Sequence, residues 1–340
     1  MPRDPFKLPP FKVEAVVTAA SEQMDWGMTL FGIPKAWKAA GQGEGIKGVV
    51  LDTGQPIHAD LEGAIFASED FVGSGKQDRN GHSTHCCGII GARQNKQGTV
   101  GVIPKCALAT GKVLDDDGSG DIPGIVDGIY WAMSLKPDFI SMSLGSSQDD
   151  PRMRKALEEA NEAGIPIICA SGNEGPGEGT MGYPGQYPFV VGVGAVDQNG
   201  KLAKFSSKGP GMDICGPGVN ILSTYLNGRY AKLSGTSMAT PFVAGVIGLN
   251  TAYRNKNSLP PITNHDELLQ LLYASATDAG PPGFDTGFGY GLVNPADLLK
   301  PPPTPPGPPT EGTWIQWSAG PLLSPIIKAA GYIGIMVTAE

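Results

Sequence analysis

Four short segments carry side chains that could do chemistry together. VVLDTG holds Asp52, NGHSTHCCG holds His82 and His85, CASGNEGP holds Asn173, and SGTSMATPFVAG holds Ser237. A serine hydroxyl is a weak nucleophile at neutral pH, so a base must take its proton as it attacks. Imidazole titrates near working pH and suits that role. A buried carboxylate beside it fixes the tautomer and stabilises the imidazolium. An amide such as that of Asn173 can donate to the oxyanion that develops. Asp52, His82, Asn173 and Ser237 therefore supply every role that acyl transfer needs. Singly, each has a plainer reading. Asp52 could be a turn residue or a helix cap, and His82 a polar loop residue. Asn173 could serve a left-handed turn, and Ser237 could cap the helix that follows it. Their conjunction favours chemistry. His85, three residues beyond His82 on the same expected helix, is read as structural.

The elements that must position these groups alternate. GIKGVVLDTG (45–54), ALATGKVLD (107–115), DFISMSLG (138–145), IPIICASGN (165–173) and FVVGVGAVD (189–197) read as buried strands. Between them, DIPGIVDGIYWAMSLKP carries apolar residues at helical spacing, and DPRMRKALEEANEAG has proline near its start and glycine at its end. The pattern predicts an α/β fold, a mostly parallel twisted sheet with helices on both faces in three layers. Ligands of such sheets bind at the carboxyl ends of the strands. Asp52, Gly145 and Asn173 fall at or just beyond such ends, which puts them on one rim. Ser237 opens a helix whose first N–H groups and dipole favour negative charge.

Composition narrows the partners. The 340 residues carry a formal net charge of −8 and no cluster of Lys and Arg, which argues against nucleic acid. Cys86, Cys87, Cys106, Cys169 and Cys215 make an odd set of 5; most sit in apolar or small-residue contexts, and they are read as buried free thiols. No stretch is long enough for a membrane span, and the N-terminal apolar run is too short for a signal-peptide core. The expected location is cytoplasmic. Residues 1–25 read as an irregular N-terminal extension and 26–300 as the catalytic domain. Residues 301–309, PPPTPPGPP, read as a semi-rigid linker, and 310–340 as a short apolar tail. Peptide or protein substrates are the expected partners, with a homodimer as a further candidate.

From roughly Trp26 to Leu299 the chain resembles the subtilisin-like serine proteases. The four segments carry the resemblance, together with GVIPKC, SMSLG, MGYPGQYPFVVGVGAVD and FSSKGP. Members of that family order their triad Asp, His, Ser, which implies Asp52, His82 and Ser237, with Asn173 as an oxyanion donor. The resemblance implies that Ser143, Leu144 and Gly145 form an edge that pairs with an extended peptide. It makes Ala170, Ser171 and Gly172 the other wall of the pocket for the residue before the scissile bond, with Gly182 as its floor. A glycine floor leaves room for large apolar side chains, and Glu174 at the rim admits a basic one. Structural Ca²⁺ is implied as well, held by Asp60 and Asn95 with carbonyls of the loop that contains Arg93, Gln97 and Thr99.

Three positions depart from the family pattern. Ser83 replaces the glycine after the catalytic histidine and is expected to add a side chain near the substrate groove. Ser146 replaces a second glycine, and Phe242 a histidine. Cys86, one turn from His82, implies mercurial sensitivity, with a packed core cysteine as the default. The extension contains LPPF, Leu8, Pro9, Pro10 and Phe11, at about the spacing of an LIPY-type motif. In the intracellular subfamily such an extension lies across the active site. Proline has no N–H and fits strand pairing poorly. The expected reading is a broad-specificity serine endopeptidase inhibited by its own N-terminus. The alternatives are a peptide-binding pseudoprotease and a scaffold recruited through the proline tract.

Overall fold

The structure is a computed structural model and describes residues 6–18 and 21–300. The proline linker 301–309 and the tail 310–340 lie outside the described residues.

The strands are β1 (Phe6–Lys7), β2 (Lys12–Val17), β3 (Lys47–Asp52), β4 (Ile65–Asp70), β5 (Ala107–Lys112), β6 (Ser119–Gly120), β7 (Phe139–Met142), β8 (Ile167–Ala170), β9 (Val191–Val196), β10 (Ile214–Pro217), β11 (Ile221–Thr224) and β12 (Tyr230–Ser234). The helices are α1 (Trp26–Leu30), α2 (Ile33–Ala40), α3 (His82–Gly91), α4 (Ile122–Ser134), α5 (Pro151–Glu162), α6 (Thr236–Lys256), α7 (His265–Ser275) and α8 (Pro295–Leu298). Seven strands form one sheet in the order β10-β9-β8-β7-β3-β5-β4. Every neighbouring pair in it is parallel.

A parallel sheet must be covered on both faces, so its strands are apolar on both sides. In β3, Val50 enters one core while Val49 and Leu51 enter the other. In β8, Ile168 and the flanking Ile167 and Cys169 divide the same way. Helices α3 and α6 contribute to the first core, and α4 and α5 to the second. The result is the three-layer α/β architecture expected from the sequence. The crossover helices begin where capping chemistry sets them. Asp121 accepts from Gly124 N and Asp150 from Arg152 N, each with proline in the first turn.

The extension is not irregular, as expected, but extended. β1 pairs antiparallel with β6, and β2 with β12, in a three-stranded sheet β11-β12-β2. It thereby follows the rim onto which the carboxyl ends of the parallel strands open.

Candidate active site

Each chemical side chain stands where an element ends or begins. Asp52 is the last residue of β3, and His82 the first of α3. Asn173 follows β8 by three residues, and Ser237 is the second residue of α6. His82 Nδ1–H donates to the Asp52 carboxylate, at 2.8 and 2.9 Å from its two oxygens. Asp52, His82 and Ser237 are all fully buried. His82 Nε2 and Ser237 Oγ are both enclosed and have no hydrogen-bond partner among the described residues.

The local chemistry of α6 fixes the serine. Pro241 lies four residues after Ser237 and has no N–H, so the Ser237 carbonyl receives no helical hydrogen bond. Ser143 Oγ–H donates to that carbonyl at 3.1 Å, and the Cys86 thiol from α3 at 3.4 Å. One missing helical donor thus ties α6 to the end of β7 and to the histidine helix. Cys86 Sγ also lies 3.8 Å from His82 Nδ1. Its sulfur and the nearest polar atoms of Asp52 and His82 all fall within 4.8 Å of one another. Burial, then the charge of Asp52, pushes the Cys86 thiol well above its ordinary pKa. It is a packed core cysteine, and all five cysteines are free and buried.

The Asn173 amide is oriented by its neighbours. Thr236 N–H and Thr236 Oγ1–H both donate to Asn173 Oδ1 at 2.9 Å. That leaves Nδ2 free to donate, and it does so to the carbonyl of Pro10 at 2.9 Å. The chain's own extension therefore offers a peptide carbonyl to Asn173. Upstream, Lys7 and Gly145 exchange both backbone hydrogen bonds, at 3.1 and 2.9 Å, and Leu8 N–H donates to Gly118 O at 2.9 Å. The ladder stops at Pro9 and Pro10, neither of which has an N–H. Phe11 then lays its ring 4.9 Å from the His82 imidazole, centroid to centroid.

A cavity of ≈ 620 Å³ adjoins this segment. Gly145, Ala170, Ser171, Gly172 and Gly182 line it, with Ser146, Glu174 and Met181, as do Leu8, Pro9 and Pro10 of the extension. Gly172 has φ +109°, a backbone conformation that favours glycine. Ser207 Oγ–H holds Glu174 Oε2 at 2.8 Å. Ser143 and Leu144 behave differently from their neighbours. The Ser143 hydroxyl is engaged with Ser237, and the Leu144 side chain is buried in the core, which leaves only its backbone to the groove. A larger cavity of ≈ 760 Å³ beside Gln55–Gly63 is lined by none of the expected site residues.

Two departures from the family pattern are corrected or explained. Ser83 does not reach the groove. It is fully buried, donates to Gly54 O at 2.6 Å and sits 3.9 Å from Cys87 Sγ. The second residue of α3 faces inward because His82 and Thr84 are turned to Asp52 and Asp78. Phe242 packs edge-on against Phe31. His85 is structural. Its Nε2 lies 3.0 Å from both Ile221 O and Ala231 O, and burial lowers its pKa to about 3.

The residues expected to hold calcium form one network, in which Asp60 and Thr99 are buried and Asn95 and Gln97 exposed. Asn95 Nδ2–H and Thr99 N–H each donate to the Asp60 carboxylate at 3.0 Å. Gln97 N–H donates to Asn95 Oδ1 at 2.9 Å, and Arg93 N–H to Asp60 O at 2.7 Å. Gly98, with φ +59°, lets the loop press on the carboxylate, since a Cβ there would stand 2.2 Å from Asp60 Oδ2. Sequence reasoning missed two further residues, Thr53 and Asp78. The signal available was an aspartate four residues before the histidine that opens a helix.

Comparison with known proteins agrees with this geometry. The subtilase family model matches residues 43–291. The minor extracellular protease Epr of Bacillus subtilis is 37% identical over 284 residues, 83% of this chain but 43% of that protein. The intracellular serine protease of Paenibacillus polymyxa is 39% identical over 256 residues, 72% of this chain and 78% of that protein. Subtilisin Savinase of Lederbergia lenta is 39% identical over 276 residues, 81% and 98% of the respective chains.

Proposed function

Because the chain belongs to the subtilase family and is a serine endopeptidase, we propose that Ser237 is its nucleophile, His82 its general base and Asp52 the group that orients His82. Ser237 Oγ attacks the peptide carbonyl carbon as its proton passes to His82 Nε2. The oxyanion takes hydrogen bonds from Asn173 Nδ2 and the Ser237 N–H of the first turn of α6. The tetrahedral species collapses as His82 protonates the leaving amine, and water repeats the sequence on the acyl-enzyme. The observation that carries this reading is the Asn173 Nδ2 hydrogen bond to a peptide carbonyl, beside an Asp52–His82 pair with a free Nε2. Casein hydrolysis by wild type but not by Ser237→Ala, with fluorophosphonate labelling at Ser237, tests it. Labelling elsewhere, or equal activity in the two proteins, overturns it.

The extension acts as an inhibitor in this proposal. Phe6 to Leu8 occupy the groove as a substrate would, by strand addition. Two prolines then break the pairing, and the Phe11 ring covers His82. The ≈ 620 Å³ cavity next to them suits a large apolar side chain before the scissile bond, and main-chain pairing favours broad specificity elsewhere. A peptide library that prefers acidic or very small residues there would overturn this preference. The pseudoprotease alternative loses its support with Ser83 buried away from the groove. The scaffold alternative rests on residues 301–309, outside the described residues.

Calcium is proposed as a structural ion. Asp60 is buried and, among the described residues, no lysine or arginine pairs with its carboxylate. Asn95 Oδ1 and the carbonyls of Arg93, Gln97 and Thr99 would complete a set suited to Ca²⁺. A cytoplasmic location is proposed on the five free, buried thiols, which suit a reducing compartment. A homodimer is proposed only as a state to be checked by sedimentation.

A further inference from the structure

We infer that Asp78 is a positioning residue that holds the Asp52 and His82 segments together through Thr53. The inference rests on the roles assigned to Asp52 and His82 above. Asp78 is 2% exposed and lies on the loop just before α3. One carboxylate oxygen accepts from Thr53 Oγ1 at 2.9 Å, Asn80 N at 3.0 Å and Gly81 N at 2.9 Å. The other accepts from Thr84 N at 2.8 Å and Thr84 Oγ1 at 2.6 Å. Among the described residues no lysine or arginine pairs with it. A buried anion is tolerated here because three backbone N–H groups and two hydroxyls face it at the positive end of a helix.

The arrangement replaces an ordinary cap. The residue before α3 is Gly81, which has φ 97° and no side chain to accept from the first turn. Asp78 supplies that acceptor from three residues upstream. His82 N–H is met by Asn80 Oδ1 at 3.3 Å, and Ser83 N–H by Thr53 Oγ1 at 3.0 Å. The start of the histidine helix is therefore fastened to Asp78 and Thr53.

Thr53 is the link to the other side. Its N–H donates to Asp52 Oδ1 at 2.7 Å, its hydroxyl donates to Asp78, and its carbonyl accepts from the fully buried Lys112 Nζ at 2.6 Å. A continuous chain of hydrogen bonds runs from Asp52 through Thr53 and Asp78 to the first turn of α3. Asp78 touches no reacting atom. It sets the distance and angle at which Asp52 meets His82 Nδ1.

The test is turnover of a tetrapeptide anilide by the full chain, with wild type and Ser237→Ala measured beside each variant. Asp78→Asn puts an amide N–H against donors that need an acceptor. Thr53→Val removes the linking hydroxyl without changing shape and guards against a variant that does not fold. Both are expected to lower kcat by about 10- to 100-fold, the scale of a small misplacement of reacting groups, with KM within about twofold. The double variant should be no worse than the poorer single variant, and Thr53→Ser should recover most of the loss. A lowered melting temperature with kcat unchanged in both variants makes the network structural only and overturns the inference. Wild type no more active than Ser237→Ala would instead bring down the assignment of the reaction centre.

Discussion

The reaction centre and the Asp60 carboxylate are both buried and polar, yet their polar atoms are treated in opposite ways. At the centre, His82 Nε2 and Ser237 Oγ are enclosed without partners. In the loop, the Asp60 carboxylate accepts from Asn95 Nδ2–H and Thr99 N–H. A buried polar group left unpaired costs about 1–3 kcal/mol. At the reaction centre a substrate would supply the missing partners, whereas the Asp60 carboxylate already has its own. The difference separates residues that should govern rate from residues that should govern stability.

Ser237→Ala is the sharpest test of that division. Activity should fall by about 10⁶-fold, a magnitude carried over from subtilisin, on which the principle is based. Because an unpaired buried hydroxyl is removed, the melting temperature should hold or rise. A large loss of stability would mean that the hydroxyl is a structural group after all. Asn173→Ala comes next, with kcat lowered by about 10²- to 10³-fold, again the subtilisin scale. It should also loosen the extension, whose Pro10 carbonyl loses its donor. Removing residues 1–20 acts in the other direction. A tethered segment competes at an effective concentration on the order of mM, so activity on a small peptide should rise about tenfold or more. No change would remove the inhibitory role of Leu8, Pro9, Pro10 and Phe11.

The loop half of the comparison predicts stability effects. Asp60→Ala strips the acceptor from the Asn95 amide and the buried Thr99 N–H and should destabilise by about 1–3 kcal/mol. Its kcat should fall far less than that of Asn173→Ala. If calcium occupies the loop, chelator should lower the melting temperature of wild type and leave Asp60→Ala unmoved. Equal chelator sensitivity in both proteins would place the ion elsewhere.

The parallel sheet was readable because each of its central strands is a run of β-branched or small apolar residues ended by a turn. The residue types for acyl transfer were readable because motifs are local. What escaped reading depended on distant partners. Strand β2, KVEAVV, is half-exposed or exposed along its whole length, so it carries no alternation to mark it, and it is a strand only because β12 lies beside it. Ser83 was misjudged because its direction depends on the rotation of α3, which Asp78 and Thr53 set from outside the helix. Asp78 itself looks like an ordinary loop acid until Thr53, 25 residues away in sequence, is brought against it. Strand β4 was missed for a similar reason, since IFASED has no apolar run and pairs only at the sheet edge.

His85 offers the finest test, because it lies on the same helix as His82 and yet its Nε2 is held between two backbone carbonyls. Burial lowers its folded pKa to about 3, whereas an unfolded histidine titrates near 6.5. Between those values the unfolded chain binds a proton that the folded chain does not. Stability should therefore be complete above about pH 6.5 and decline as pH falls toward 3, by about 1.4 kcal/mol per pH unit for this one group. Asp25 and Asp213, whose pKa values burial raises to about 6, contribute the opposite slope between about pH 4 and 6. A difference measurement cancels them. In a Ser237→Ala background, which prevents self-digestion, His85→Gln keeps an N–H for the Ile221 and Ala231 carbonyls but cannot titrate. The urea midpoints of the two proteins, followed from pH 7 to pH 4, should draw together as pH falls, because only the histidine form loses stability through this position. Parallel curves would mean that His85 takes up its proton in the folded state, and the contrast between the two histidines of one helix would not hold.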